Sequence, residues 1–258
     1  MILAVDVGNT NVVLGCIENG SILQTVRMRT ESGATDAEYA IKISDLLHFM
    51  NVSTEALEGT IIASVVPPVT ASIAKALEKL TGKRSLIVGP GMKTGLNVKI
   101  DDPGTLGADL VVGAVAAIAA YSVPAIVVDM GTATTITVID GKKAFRGGAI
   151  LPGVKLSFSA LASGTSLLPD IYIETPEKCI GTNTVDCMRS GAVLGTASMI
   201  DGMIDRMETE LGEECTLIAT GGLASAVVSC CRHGIICDDD LLLKGLWELY
   251  RKNAFLRE

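Results

Sequence analysis

Two short segments of the sequence combine a carboxylate, a glycine and small polar side chains in the same order. The first is Asp-Val-Gly-Asn-Thr-Asn at residues 6–11, and the second is Asp-Met-Gly-Thr at residues 129–132. A glycine lets the main chain approach a ligand closely, and the amides of such a turn can cradle phosphate oxygens. The carboxylate can hold Mg²⁺, mostly through water. One such segment alone is equally typical of a plain hairpin turn, but its repetition favours phosphate binding.

The elements around the two segments repeat as well. Apolar runs at residues 2–7, 12–17 and 22–28 predict three antiparallel strands around the first segment. Runs at residues 125–129 and 134–139 repeat the first two strands around the second segment. The glycine and proline pairs at residues 147–148 and 152–153 then predict a loop.

This internal repeat predicts an α/β fold of two similar units that meet near residues 118–124. We place the boundary after residue 118, which gives domains 1–118 and 119–258. Helical patterns occupy much of the remaining chain, at residues 36–50, 67–80, 105–121, 182–211 and 240–253. The helix at 182–211 is rich in small residues, so it fits either close approach to a second copy or burial within one subunit.

Three further sites could carry chemistry. Asp109, in Gly107-Ala108-Asp109, opens a predicted helix. It fits a general base that takes a hydroxyl proton, and spacing alone favours a helix-capping role. Thr184 begins the 182–211 helix and fits either a cap or a contact to an anionic or amide group. The Gly221-Gly222 turn follows a predicted strand and opens another helix.

Composition excludes several classes of function. The chain has 258 residues, a net charge of −8 and only 3% aromatic residues. Nucleic-acid binding needs a surplus of Lys and Arg, so we expect no nucleic-acid partner. We expect no membrane segment, because no apolar run approaches the ~18 residues of a spanning helix. The seven cysteines contain no Cys-x-x-Cys pair, which predicts reduced thiols in a cytoplasmic protein rather than a zinc site.

Two Asp-x-Gly loops followed by a Gly-Gly turn resemble the layout of the actin, sugar kinase and Hsp70 ATPase superfamily. That resemblance implies two RNase H-like domains with a nucleotide cleft between them. It also implies that the Gly221-Gly222 turn lies near the adenosine of the nucleotide.

Over its whole length the chain is similar to the type III pantothenate kinases. The matching segments are residues 6–11, 95–97, 102–103, 107–109, 128–135, 147–150, 152–153, 168–169 and 181–184. The resemblance implies phosphorylation of pantothenate by ATP to 4'-phosphopantothenate, the first step of coenzyme A biosynthesis. It also implies a homodimer, Mg²⁺ and a monovalent cation, K⁺ or NH₄⁺.

The resemblance assigns a role to each matching position. Asp109 would be the catalytic base, Asp6 would hold Mg²⁺ through water, and Asp129 would help to hold the monovalent cation. The residues implied in binding ATP and Mg²⁺ are Asp6, Val7, Gly8, Asn9, Thr10, Asn11, Val12, Val13, Thr132, Gly221 and Gly222. The residues implied in binding pantothenate are Ile100, Gly107, Ala108, Asp109, Leu110 and Thr184.

Three positions depart from the family pattern around the acceptor. Leu110 stands where the family usually has Arg, Ile100 where it often has Tyr, and Gly164 near where it has a basic residue or His. A leucine cannot make the charge-assisted hydrogen bonds that an arginine makes to a carboxylate. Other cations that could compensate are Arg146, Lys155 and Arg189, or a basic residue from the partner subunit.

The departures leave other functions open beside pantothenate phosphorylation. One is a kinase for a different acceptor, and another is a non-catalytic, regulatory nucleotide-binding paralogue. A third is a phosphatase or other hydrolase, because a fold does not fix the chemistry that it supports.

Overall fold

The computed structural model describes residues 1–254, and the chain divides into two compact units. Unit 1 comprises Met1–Leu96, Asp102–Ala119 and the C-terminal helix that follows Asp240, and unit 2 comprises Asn97–Asp101 and Ala120–Asp239. The chain passes into unit 2 at Asn97 and again at Ala120, and it returns to unit 1 at Asp102 and at Asp240. The C-terminal helix, which we assigned by sequence to the second domain, groups with unit 1.

The described residues form two mixed sheets with helices packed on them. The strands are β1 (Ile2–Val7), β2 (Asn11–Glu18), β3 (Ser21–Arg29), β4 (Gly59–Ser64), β5 (Leu86–Ile87), β6 (Asn97–Val98), β7 (Ala125–Met130), β8 (Ala133–Ile139), β9 (Ala144–Pro152), β10 (Thr216–Thr220) and β11 (Ile236–Cys237). The helices are α1 (Asp36–Phe49), α2 (Pro67–Thr81), α3 (Ala108–Ala120), α4 (Val154–Ser163), α5 (Thr184–Ser190), α6 (Thr196–Leu211), α7 (Ala224–Val228) and α8 (Leu241–Asn253). Throughout residues 1–254, no helix combines the length and apolar character needed to cross a bilayer.

The two sheets confirm the internal repeat. In unit 1 the strand order is β3-β2-β1-β4-β5, and in unit 2 it is β11-β10-β7-β8-β9-β6. The first three strands of each repeat are antiparallel neighbours, and the last two run parallel to the central strand. The central strands β1 and β7 also share one pattern of buried and half-buried positions.

Alternation along β1 determines which helices its side chains meet. Successive residues of a strand point to opposite faces of the sheet. Leu3 and Val5 pack into the cluster that includes α1 and α2, whereas Ile2 and Ala4 pack into the cluster that includes α3 and α8. Asp6 continues the second set, so it belongs to the face of the sheet that α3 and α8 cover.

Helix α8 groups with unit 1 because three glycines allow it to pack closely there. A Cβ at Gly15 would lie 2.7 Å from the Leu243 side chain, and a Cβ at Gly59 would overlap the Tyr250 ring. Gly245, on α8 itself, lies against Val112 of α3, where a Cβ would be 2.9 Å from the carbonyl carbon and closer still to the oxygen. These contacts are distant in sequence, so helical periodicity gave no sign of them.

Strand β9 corrects the predicted loop at residues 147–148 and 152–153. Gly147 has φ +105°, and a Cβ at Gly148 would overlap the main chain of Ile136 on β8. The β8–β9 register also shifts between Val138 and Ile139. The glycines thus mark a bulge and a close approach inside a strand rather than its end. The sequence pattern also missed α4, and the helix predicted from residue 182 begins at Thr184.

We expect Gly245→Ala to lower the free energy of unfolding by about 1–3 kcal/mol, because the new methyl group overlaps the Val112 carbonyl and α8 must move away from α3. Urea unfolding can be followed through Trp247, the single tryptophan, which lies on α8. The matched control is Gly113→Ala on α3, where a Cβ would lie 3.7 Å from Leu242 in ordinary contact. Equal stabilities of the two variants would contradict this account of the packing.

Candidate functional site

The first Asp-x-Gly segment forms the hairpin loop between β1 and β2. Asp6 is the penultimate residue of β1 and pairs with Val13 across the ladder. The loop closes through a hydrogen bond from the Gly8 N–H to the Asn11 carbonyl oxygen, 2.9 Å long. Asn9 and Thr10 are exposed at its tip. The side chains of the predicted residues Val7 and Val12 are fully buried, so these two can contribute to a ligand site only through their main chain.

Thr30, which follows β3, holds this loop from the side. Its Oγ1 donates a hydrogen bond to the Gly8 carbonyl oxygen at 2.6 Å, and its N–H donates to the Thr10 carbonyl oxygen at 3.0 Å. The sequence analysis missed Thr30, since its partners lie about twenty positions away and only the β2–β3 pairing brings it to the loop.

The second Asp-x-Gly segment forms the corresponding loop between β7 and β8. Asp129 is again the penultimate residue of the central strand, and it pairs with Thr135. Gly131 and Thr132 are exposed. The Gly153 N–H donates a hydrogen bond of 3.0 Å to the Thr132 carbonyl oxygen. Gly153 approaches this loop so closely that a Cβ would lie 2.5 Å from the Gly131 carbonyl oxygen.

The predicted Gly-Gly turn lies beside the same loop. Thr220, the last residue of β10, pairs with Asp129 in the parallel ladder, so the turn follows at the same edge of the sheet. Gly221 has φ +98°, and a Cβ there would lie between 2.6 and 2.8 Å from main-chain atoms of Met130. Only glycine fits this conformation and this contact. The structure therefore brings together Asp129, Thr132 and Gly221-Gly222 in unit 2.

Asp109 lies in the first turn of α3, the helix that packs on the sheet face to which Asp6 belongs. Its Oδ1 accepts a 2.8 Å hydrogen bond from the Leu110 N–H. Burial raises the pKa of the Asp109 carboxyl, and the amide hydrogen bonds from Leu110 and Asp109 itself only partly oppose that rise. A Cβ at Gly107 would lie 2.5 Å from the same Oδ1, so glycine leaves the room that this carboxylate occupies.

The other predicted acceptor residues lie on three elements. Ala108 and Leu110 flank Asp109 on α3 and are half-buried. Ile100, in the short segment after β6, lies 3.7 Å from the Cβ position of Gly147. Thr184 is exposed at the start of α5, where Asn183 caps the helix by accepting a hydrogen bond from the Asp186 N–H at 3.0 Å. Because Asn183 makes the cap, the Thr184 hydroxyl is not required for it.

The carboxylates suit a hydrated cation better than a protein-only metal cage. Within residues 1–254, no group of three or more His, Cys, Asp or Glu side chains could enclose a metal ion. Each loop instead offers one aspartate, Asp6 or Asp129. Mg²⁺ keeps several waters and is usually bound by one or two carboxylates together with substrate phosphates. The residues present therefore fit Mg²⁺ that accompanies a phosphate ligand.

Known sequences resemble the chain over its full length. A family model described as type III pantothenate kinase matches residues 2–206. A Bacillus cytotoxicus protein named type III pantothenate kinase is 43% identical over 257 residues, which cover 100% of this chain and 98% of that protein. A Halalkalibacterium halodurans protein of the same name is 43% identical over 254 residues, which cover 98% and 100%.

Solved structures share the fold at low sequence identity. A protein described as a conserved putative Baf family transcriptional activator from Campylobacter jejuni matches with a TM-score of 0.61 and 19% identity, over 98% of this chain and 100% of that one. A putative 2-dehydro-3-deoxygalactonokinase from Sinorhizobium meliloti matches with a TM-score of 0.59 and 12% identity, over 97% and 96%. These likenesses support the predicted α/β fold of actin-like ATPases and sugar kinases.

We expect Gly153→Ala to weaken the binding of a non-hydrolysable ATP analogue with Mg²⁺ by at least about tenfold, since the methyl group must displace the main chain of Gly131 and Thr132. Titration calorimetry measures this affinity directly. The control is Gly234→Ala in the same unit, where a Cβ meets nothing within 4 Å. A folded Gly153→Ala protein with unchanged affinity would separate this loop from nucleotide binding.

Proposed function

The chain belongs to the type III pantothenate kinase family, and from this premise we propose that it transfers the γ-phosphoryl group of ATP to pantothenate. The product is 4'-phosphopantothenate, and the reaction is the first step of coenzyme A biosynthesis. The observation that carries the proposal is the duplicated hairpin, in which Asp6 and Asp129 are the penultimate residues of equivalent central strands with the same burial pattern.

The two loops bind the phosphates of ATP in this proposal. The main chain of residues 6–13 and the Thr132 side chain contact phosphate oxygens, and Gly221-Gly222 lies along the adenosine. Mg²⁺, when bound, neutralises the charge that develops on the transferred phosphoryl group. Asp6 holds it through water, and Asp129 helps to hold a monovalent cation, K⁺ or NH₄⁺.

Asp109 is the proposed general base. A base must be ionised and must reach the proton that it removes. Its position at the start of α3 helps to keep it ionised, because the positive end of the helix favours a carboxylate. Its burial raises the carboxyl pKa and so makes the carboxylate a stronger proton acceptor than an exposed aspartate. The Leu110 amide and the space over Gly107 fix where the carboxylate lies.

The acceptor site is proposed to include Gly107, Ala108, Leu110, Ile100 and Thr184. Two of the cations that could replace the missing arginine are engaged in ion pairs: Arg146 contacts Asp140 at 3.2 Å, and Arg189 contacts Glu174 at 2.8 Å. Lys155 is exposed, and no ion pair joins it to another residue of 1–254. Among these three, Lys155 is therefore the cation that we favour for the pantothenate carboxylate.

We also propose that the enzyme is a cytoplasmic homodimer. The seven cysteines are all unpaired thiols, as in proteins of reducing compartments. Unit 2 exposes large apolar side chains around α4 and the segment that follows it, which supports burial of this surface by the second subunit of the dimer. These residues are Ile150, Leu156, Leu161, Leu167, Tyr172 and Ile180.

The test is phosphorylation of pantothenate by the purified protein, with ATP, Mg²⁺ and K⁺. A neutral analogue in which an alcohol replaces the pantothenate carboxylate serves as a second acceptor. Preference for pantothenate supports the proposal. Turnover with the analogue alone identifies a kinase for a different acceptor, and ATP hydrolysis that ignores both acceptors identifies a hydrolase. Nucleotide binding without any turnover identifies a regulatory paralogue.

We expect Asp109→Asn to lower kcat by a factor on the order of 10²–10⁴, because the amide cannot take the hydroxyl proton. The Asn oxygen can still accept the Leu110 N–H, so the variant should fold. Burial disfavours the ionised carboxylate, which costs stability as the pH rises through the raised pKa. The amide avoids this cost, so the variant should unfold at no lower a urea concentration than wild type at pH 7. Turnover within a few-fold of wild type would refute the assignment.

We expect kcat/KM for pantothenate to fall on the acid side as Asp109 becomes protonated. Because burial raises the pKa of this carboxyl, the midpoint of the fall should lie above the ~3.9 of an ordinary aspartate. Calorimetric binding of the ATP analogue at each pH separates this loss from loss of nucleotide. A midpoint at or below the ordinary aspartate pKa would contradict the buried environment as the source of basicity.

A further inference from the structure

We propose that Thr30 is a positioning residue for the first phosphate loop, whose hydroxyl and amide fix the loop main chain in the conformation that receives ATP. The proposal rests on the proposed function of residues 6–13 and extends it to a residue outside the loop. Thr30 acts through the loop and is not assigned a contact with the nucleotide.

The two hydrogen bonds of Thr30 reach both sides of the loop tip. Oγ1–H donates to Gly8 O at 2.6 Å, and N–H donates to Thr10 O at 3.0 Å. Asn11 and Arg29 form the last pair of the β2–β3 ladder on this side. Thr30 therefore continues the hydrogen bonding one residue beyond the sheet and adds to the bond between Gly8 and Asn11 that closes the loop.

A hydrogen bond that fixes the carbonyl group of one residue also fixes the direction of the N–H group of the next residue. In a trans peptide the C=O of one residue and the N–H of the next lie in one plane and point in opposite directions. The bond from Thr30 Oγ1 to Gly8 O therefore fixes the direction of the Asn9 N–H, which points away from Thr30. An amide fixed in advance loses less entropy when it binds phosphate than an amide in a mobile loop.

Thr30 is itself anchored to the core of unit 1. The next residue, Glu31, donates its N–H to the Tyr39 hydroxyl at 3.0 Å, and that hydroxyl donates to the Glu31 carbonyl oxygen at 3.0 Å. Tyr39 is fully buried in the cluster that contains Val7 and Val12 from the strands on either side of the loop. The support for the loop thus runs back to the strands that carry it.

The same main-chain hydrogen bond occurs in both repeats. In unit 2 the residue that follows the third strand of the repeat is Gly153, and its N–H donates to Thr132 O at 3.0 Å. In unit 1 the equivalent residue is Thr30, and its N–H donates to Thr10 O at 3.0 Å. Because this main-chain hydrogen bond occurs at both proposed phosphate loops, it supports a role in shaping them. At the first loop, the Thr30 hydroxyl adds a further hydrogen bond to the Gly8 carbonyl oxygen.

The decisive variant is Thr30→Val, which keeps the shape and the N–H of Thr30 but removes the hydroxyl. We expect the Kd of a non-hydrolysable ATP analogue with Mg²⁺ to rise about three- to tenfold, the effect of losing one hydrogen bond. KM for ATP should rise in parallel, while KM for pantothenate stays unchanged. Thr30→Ser, which restores the hydroxyl, should recover the wild-type values.

The matched control is Thr25→Val on β3, the strand that Thr30 follows, where the threonine is exposed and pairs with Gly15. It should leave both KM values and the Kd unchanged. A Kd for Thr30→Val within twofold of wild type overturns the proposal, and so does an equal rise in both KM values that Thr30→Ser does not rescue.

Calorimetry needs no acceptor, so the proposal is tested even if the wild-type protein does not phosphorylate pantothenate. Failure of the wild-type protein to bind nucleotide overturns both proposals.

Discussion

The hydrogen bond that ties each Asp-x-Gly loop to the residue after the third strand is the constraint on which the two proposed phosphate-binding loops depend. Thr30 bonds to Thr10 in unit 1, and Gly153 bonds to Thr132 in unit 2. A hairpin loop is otherwise held only at its two strand ends, and its amides can turn away from a ligand. With the residue after the third strand bonded to the loop, the main chain there is restrained before any ligand binds. In unit 2, Gly221 adds a second close contact, to Met130.

Burial makes the Asp109 carboxylate more basic, and it lowers the stability of the folded protein at a pH where that carboxylate is ionised. Burial makes the ionised form less favourable and raises the carboxyl pKa, while a hydrogen bond from the Leu110 amide limits that rise. A fully exposed aspartate would be a weaker base, and the pKa of one buried without a hydrogen-bond donor would rise further. The first turn of α3 lies between these limits, because its free amides stabilise negative charge. Gly107 completes the arrangement by leaving room for the carboxylate.

Helix α3, which carries the proposed base Asp109, is supported by the C-terminal helix α8. Gly245 lets α8 approach the main chain of α3 at Val112, and Gly15 and Gly59 accept Leu243 and Tyr250 into the sheet face. Close packing of this kind leaves little freedom for small displacements. The position of α3, and with it that of Asp109, therefore depends on residues of α8 more than a hundred positions further along the chain.

The sequence by itself determined the repeated strand–loop–strand units, the Asp-x-Gly segments, Asp109 at a helix start and the family, because local periodicity and short motifs carry that information. It did not reveal that residues 147–148 lie within β9, since glycines mark turns and bulges alike. Nor did it reveal that α8 joins unit 1 or that Thr30 supports the first loop. Only tertiary structure decided these points, because each depends on which distant segments pair or pack. Strand register, close approach between main chains and hydrogen bonds to loop carbonyls leave no periodic trace in a sequence.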